Sequence, residues 1–221
     1  MDFDEWKPLA EQGMAEAQHN LGLMFSSGKD ISRDDQEAVK WYRLAAEQGF
    51  AESQTNLGLM YGKGQGVEQN FMEAVKWYRL AAEQGLAQAQ HNLGVMYGRG
   101  QRVTKNYQEA FWWFKLSAEQ GYGQAQYNLG LMYSRGEGVP RSDQEAVKWY
   151  RLSAEQRIPG AQSNLGLMYE KGLGVEQDYV EAHKWFNIAG VNGNAVGKKN
   201  ANIIEKKMAP GQIIVAIGLA R

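Results

Sequence analysis

The sequence has no cysteine, which excludes disulfides, thiolate catalysis and cysteine-ligated zinc. An excess of charge of either sign is also missing. Twenty-four Lys and Arg stand against 25 Asp and Glu, interspersed, for a net charge of −1. No basic field exists to hold a phosphate backbone, and nucleic acid is not expected as a partner. Long apolar runs are absent too. The longest, Ile213 to Ala220, has eight residues where a bilayer span needs about 20, so no membrane insertion is expected. The opening residues, Met1 to Glu5, carry neither a basic segment nor an apolar core, and as it stands the sequence reads as soluble and cytoplasmic. Hydrophobic residues at 43% and charged residues at 22% are ordinary for a folded protein.

What the sequence does have is repetition. Leu-Gly-Leu-Met starts at Leu21, Leu57, Leu129 and Leu165, with Leu-Gly-Val-Met at Leu93. Tryptophan recurs at Trp41, Trp77, Trp113, Trp149 and Trp185, again at steps of 36. Self-similarity at such a period marks a solenoid, whose units stack on their neighbours and whose core lengthens with each copy. The expected organisation is one solenoid domain over 1–221. It has a partial leading unit at 1–13, full repeats at 14–49, 50–85, 86–121, 122–157 and 158–193, and a C-terminal cap at 194–221.

Each copy holds two helical patterns. In the first, Ala89, Leu93, Met96 and Tyr97 make one apolar stripe. Glycine recurs inside it (Gly22, Gly58, Gly94, Gly130, Gly166), each costing about 1 kcal/mol relative to alanine; a helix crossing closely there would explain the repeated cost. In the second, Ala74, Trp77, Tyr78, Ala81 and Ala82 set small residues against large aromatics. Its start carries Asp34, Asn70, Asn106, Ser142 or Asp178, each with glutamate three residues on, which predicts a capping box in every copy. Its end carries Gly49, Gly85, Gly121 or Gly193, suited to a left-handed C′ position. Arg157 replaces glycine in the remaining copy, predicting a locally different turn. The loop Gly62-Lys-Gly-Gln-Gly-Val67 has neither the preceding strand nor the Gly-Lys-Ser/Thr of a phosphate loop, and reads as the turn between paired helices.

Together, Ala-x-Ala-Gln-x-Asn-Leu-Gly-x-Met-Tyr, Gly-x-Gly-Val and Glu-Ala-x-Lys-Trp-Tyr-x-x-Ala-Ala-Glu-Gln-Gly resemble the Sel-one-like repeats (SLR), longer cousins of tetratricopeptide repeats, in their bacterial members. The resemblance covers nearly the whole sequence. It implies an all-α fold, a right-handed α-solenoid of 36-residue helix-turn-helix repeats, and a role as protein-binding scaffold or adaptor. An immunity or inhibitor protein that neutralises a toxin is the alternative it implies. Glu5 to Gly13 resembles a second helix whose first helix is missing. In similar proteins a signal peptide often precedes such a unit, so a periplasmic location is the alternative to the cytoplasm. After the capping segment Asn194 to Met208, a last helix is expected over Gln212 to Ala220.

A partner is expected on the concave side, which the first helices line in a stacked array. Asn20, Asn56, Asn92, Asn128 and Asn164 recur there. An asparagine amide both donates and accepts, so such a ladder can satisfy the backbone of an extended peptide, as the equivalent asparagine does in related tetratricopeptide domains; bonding to a neighbouring helix is the competing reading. The residue before each asparagine varies (His19, Thr55, His91, Tyr127, Ser163), as selectivity would need. Lys63, Arg99, Arg135 and Lys171 add a row of cations able to attract an acidic segment or a C-terminal carboxylate, or simply to complement helix C-termini.

Catalysis is not expected. His19 and His91 lie two repeats apart, with several helix packings of about 8–10 Å between them, and cannot share a zinc that needs nitrogens at about 2.0–2.1 Å. Some cysteine-rich relatives have been linked to penicillin binding or β-lactamase activity. Ser26-Ser27-Gly28-Lys29 has the serine–lysine spacing of such enzymes, without Ser-Asp-Asn, Lys-Thr-Gly or the relatives' cysteines. The expected partner is a protein or peptide, with no cofactor or metal, and the expected state is a monomer.

Overall fold

The two alternating sequence patterns become two alternating sets of helices. The computed structural model describes residues 2–100 and 103–220; Met1 and Arg221, the outer bounds of the expected leading and capping units, lie outside the described residues. The first helices are α2 (Ala15–Ser27), α4 (Ala51–Lys63), α6 (Ala87–Arg99), α8 (Gly123–Arg135), α10 (Pro159–Lys171) and α12 (Ala195–Ile204). The second helices are α1 (Phe3–Glu11), α3 (Asp35–Glu47), α5 (Phe71–Glu83), α7 (Tyr107–Glu119), α9 (Asp143–Glu155) and α11 (Tyr179–Val191). A 3₁₀ turn and α13 (Pro210–Leu219) follow, and no strand occurs among the described residues.

Two compact units meet in sequence between Asn106 and Tyr107. In the first, α1 to α6 pack each on the next in sequence order. The second does the same from α7 to α12, with α13 against α11. The stripes read from the sequence form the core. Ala89, Leu93 and Met96 are buried, as are Ala74, Trp77, Tyr78, Ala81 and Ala82.

The helix-interior glycines mark the close crossings. A Cβ on Gly58 would stand 2.9 Å from two ring carbons of Tyr78, and one on Gly166 would stand 2.7 Å from the Phe186 ring. Gly22 and Gly130 meet Tyr42 and Tyr150 in the same way. Each glycine therefore lets the aromatic of its own copy's second helix lie on the first helix's backbone.

The capping expectation holds by half. Asp34, Asn70, Ser142 and Asp178 accept backbone N–H bonds from the first turns of α3, α5, α9 and α11. The reciprocal glutamate bond is absent there, because the cap's own N–H already donates to the preceding first helix. Asp34 N reaches Phe25 O at 2.9 Å and Ser142 N reaches Tyr133 O at 3.0 Å. The glutamate turns instead to the lysine three residues on, as in Glu37–Lys40 at 3.2 Å. The turn at Arg157 does not differ as expected. Arg157 takes a left-handed φ of 63° and donates to Ala154 O at 3.0 Å, as Gly49 donates to Ala46 O at 3.0 Å.

Polar stitches that the sequence reading passed over join successive copies. Buried Gln18, Gln54, Gln126 and Gln162 each donate to a carbonyl at the end of the preceding second helix, at 3.0–3.2 Å. Their own carbonyls accept from Gln48, Gln84, Gln156 and Asn192 at 2.7–3.0 Å. Each buried amide thereby has partners on two second helices, which is what lets it lie in the core without a desolvation penalty.

Candidate functional site

Two clefts open on the first-helix face of the first unit, one repeat apart. The first, about 180 Å³, lies between α2 and α4, with Tyr42 of α3 at its base. The second, about 340 Å³, lies between α4 and α6, with Tyr78 of α5 at its base. The construction is the same in both: an asparagine from the later first helix (Asn56, Asn92) and a tyrosine from the second helix between.

Their polar groups are satisfied differently. In the smaller cleft, Tyr42 shares its hydroxyl with Ser26 Oγ at 3.0 Å and with the Asn56 amide. Arg33 at its edge is bound bidentately to Asp35, at 2.9 and 3.0 Å. The larger cleft has glycine (Gly62) where Ser26 stands one repeat earlier, and Tyr78 is without that hydroxyl partner. Asn92 Oδ1 pairs with His91 Nδ1 at 3.3 Å. Lys63 and Arg99 line this cleft, and no acidic side chain does. Burial raises the phenol pKa of Tyr42, Tyr78 and Tyr150, so each stays protonated and able to donate.

Of the residues named from sequence, the larger cleft collects Asn92, Lys63 and Arg99, and the smaller one Asn56. Asn20 Nδ2 donates to Glu16 O of its own helix at 2.9 Å. In the second unit, Asn164 bonds to the Tyr150 hydroxyl, which Ser134 Oγ also approaches at 3.1 Å, and Asn128 is half-buried. Lys63, Arg99, Arg135 and Lys171 are exposed last residues of their helices, and Arg135 lies 4.0 Å from Glu137.

The variable row turns toward neighbouring helices. Thr55 and Ser163 are only 2% and 8% exposed, and Thr55 Oγ1 donates to Ala51 O at 3.0 Å. His19 Nδ1 pairs with Ser53 Oγ at 2.8 Å, its ring 4.9 Å from that of Phe50. Tyr127 packs on Tyr150 at 6.2 Å and under Gly160. Half-buried His91 sits beside Asn92. Burial lowers the pKa of His19 and of His91, and the Arg99 charge adds to the effect at His91.

Nothing at Ser26 resembles an acyl-transfer nucleophile. Its hydroxyl bonds to Leu23 O at 3.1 Å and to Tyr42, while Lys29 lies beyond the left-handed Gly28. Among the described residues no group of three or more His, Asp or Glu could hold a metal, and no helix is long and apolar enough to cross a membrane.

A family model described as Sel1 repeat matches residues 15–50, 51–86, 87–122, 123–157 and 159–194. No curated protein matches. Among solved structures, a protective antigen of uropathogenic Escherichia coli strains, described as displaying an SLR fold, is 40% identical over 97% of this chain with a TM-score of 0.92. This chain spans 46% of that one's length. A Sel1 repeat protein from Oxalobacter formigenes is 36% identical, with 95% of this chain and 86% of the other covered and a TM-score of 0.82. An immunity protein from Pseudomonas aeruginosa, 19% identical over 93% of this chain and 80% of its own, with a TM-score of 0.55, shares the fold.

Proposed function

We infer a protein-binding role for this chain, which belongs to the Sel1 repeat family. Sel1 repeat proteins are in general protein-interaction scaffolds. Within that role, the partner is a protein or peptide segment lying across the first helices of the first unit. One observation carries the reading: two clefts recur one repeat apart, each offering an asparagine amide beside a tyrosine hydroxyl. A segment spanning both would meet polar groups at the spacing of the array, between apolar walls such as Leu59, which borders both clefts. Asn56, Asn92, Lys63 and Arg99 belong to this site, whereas His19 and Thr55 support the helices that shape it. The immunity reading rests on neighbours that share the fold at 19–20% identity, and no feature of the clefts favours it.

The test is affinity capture from the source lysate with the unaltered protein and with Asn92→Ala/Arg99→Glu, followed by calorimetry on the partner retained. The expected result is at least a ten-fold loss of affinity in the variant with an unchanged helical spectrum and urea midpoint. A partner bound equally by both proteins would remove the first-helix face from the reading.

A further inference from the structure

The two clefts share a frame but not an electrostatic character, and the difference identifies what the larger one takes. Where Ser26 meets the Tyr42 hydroxyl, Gly62 leaves Tyr78 open: a Cβ built on Gly62 would meet only Ala74 Cβ at 3.8 Å and the Tyr78 hydroxyl oxygen at 4.0 Å. With Asn92 Oδ1 accepting from His91, the Asn92 Nδ2 hydrogens remain for a ligand. Lys63 and Arg99 have no carboxylate within ion-pair distance among the described residues, whereas Arg33 of the smaller cleft is held by Asp35. Four donor side chains, an ammonium, a guanidinium, an amide and a phenol, thus surround a space of about 340 Å³ with no acid on its lining. Phe71 gives it an apolar wall.

We propose that the cleft between α4 and α6 is a carboxylate site, taking a peptide carboxylate with an apolar side chain next to it. A carboxylate is acceptor-only and can take about four hydrogen bonds, matching a lining that supplies donors. Arg99 can bind it bidentately, and the apolar neighbour lies against Phe71. The protonated Tyr78 phenol donates rather than competes. The proposal rests on the reading that this face binds protein, and specifies what one repeat of it recognises. The carboxyl terminus of a polypeptide and an Asp or Glu residue within one offer the same chemistry.

Three probes separate the possibilities: N-acetyl-phenylalanine, acetyl-Phe-Asp-amide, whose only carboxylate is that of its aspartate, and N-acetyl-phenylalaninamide, which carries none. Each is titrated into the full-length protein while the Asn92 Nδ2 amide and the Arg99 Nε–H are followed by NMR. The expected result is saturable shifts with one or both carboxylate probes, at least ten-fold weaker with the amide, and weakened by 0.5 M salt on the order expected for exposed charges. Whichever carboxylate probe saturates first names the source. Gly62→Ser, which restores the arrangement of Ser26 and Ser134, is expected to weaken the carboxylate probe at least five-fold without lowering the urea midpoint. Binding of the amide as tight as the acids, no saturable shift from either acid, or an unaffected Gly62→Ser variant would each overturn the carboxylate site. The capture experiment above reports separately on whether the face binds protein at all.

Discussion

Helix α4 carries two glycines one turn apart, and alanine is expected to have opposite effects at them. In isolation each Gly→Ala change in a helix favours folding by about 0.8–1 kcal/mol. At Gly58 the new methyl would stand 2.9 Å from both Cδ1 and Cε1 of Tyr78 and 3.2 Å from the Ala74 carbonyl oxygen. Tyr78 is 5% exposed, so its ring can give way only by shifting toward the cleft that it floors. Overpacking of this kind costs roughly 1–3 kcal/mol, so after the propensity gain the net effect is a destabilisation of about 0–2 kcal/mol. At Gly62 the nearest atoms stand at 3.8 and 4.0 Å, ordinary contact, and the position is next to last in α4. About half the propensity gain, roughly 0.5 kcal/mol, should survive there. The two variants should therefore differ by about 0.5–2.5 kcal/mol, read at 25 °C from urea unfolding followed by far-UV circular dichroism. If Gly58→Ala unfolds above the wild-type midpoint, close approach is not the reason for the helix-interior glycines.

Three further outcomes follow from particular residues. Arg157 holds a left-handed φ of 63°, which costs a non-glycine residue about 1–2 kcal/mol; Arg157→Gly, less the added freedom of the unfolded state, should raise stability by about 0.5–1 kcal/mol in thermal unfolding, and a lower midpoint would contradict this. Burial lowers the pKa of His19 and His91 in the fold, so the unfolded state takes up protons first: stability should be full above about pH 6.5 and fall as pH drops below it. Urea midpoints at pH 7.5 and 5.5 should show that loss, and His19→Gln/His91→Gln should reduce it. Gln54→Ala removes the bond to Ala46 O and the acceptor of the Gln84 amide, a loss of about 0.5–1.5 kcal/mol for each bond, with faster amide exchange in α3 and α4 by mass spectrometry; protection equal to wild type would show the stitch to be idle.

Much of the fold was legible because each local signal is repeated. The Gly58 position alone would be ambiguous, but its recurrence above Tyr42, Tyr150 and Phe186 equivalents makes close crossing the economical reading. What escaped were relations between helices that no local pattern carries. The glutamate of each supposed capping box was read correctly as a first-turn residue, yet whether it can close the box depends on Asp34 N, and that group is spent on Phe25 O from another helix. The residue before each asparagine lies about 100° further round the helix, enough to turn Thr55 and Ser163 into the packing instead of the cleft. The glutamine row at Gln18, Gln54, Gln90, Gln126 and Gln162 was available in the sequence. Its signal was a glutamine that directly follows a small residue (Ala17, Ser53, Ala89, Ala125, Ala161) in every copy, a pattern that fits a buried bridge better than a solvated face.

The same comparison among copies separates frame from site. A polar residue that makes the same internal bond wherever it occurs is explained by the array itself, as the glutamines are. The asparagines do not behave uniformly. Asn56 and Asn164 hold tyrosines that Ser26 and Ser134 also hold, and Asn20 bonds within its own helix. Asn92 instead stands over a cleft from which the serine has been removed, with two cations beside it that no carboxylate among the described residues holds. Where one frame is kept and only its polar filling changes, stacking does not require the change, and the change is therefore the place to look for a ligand.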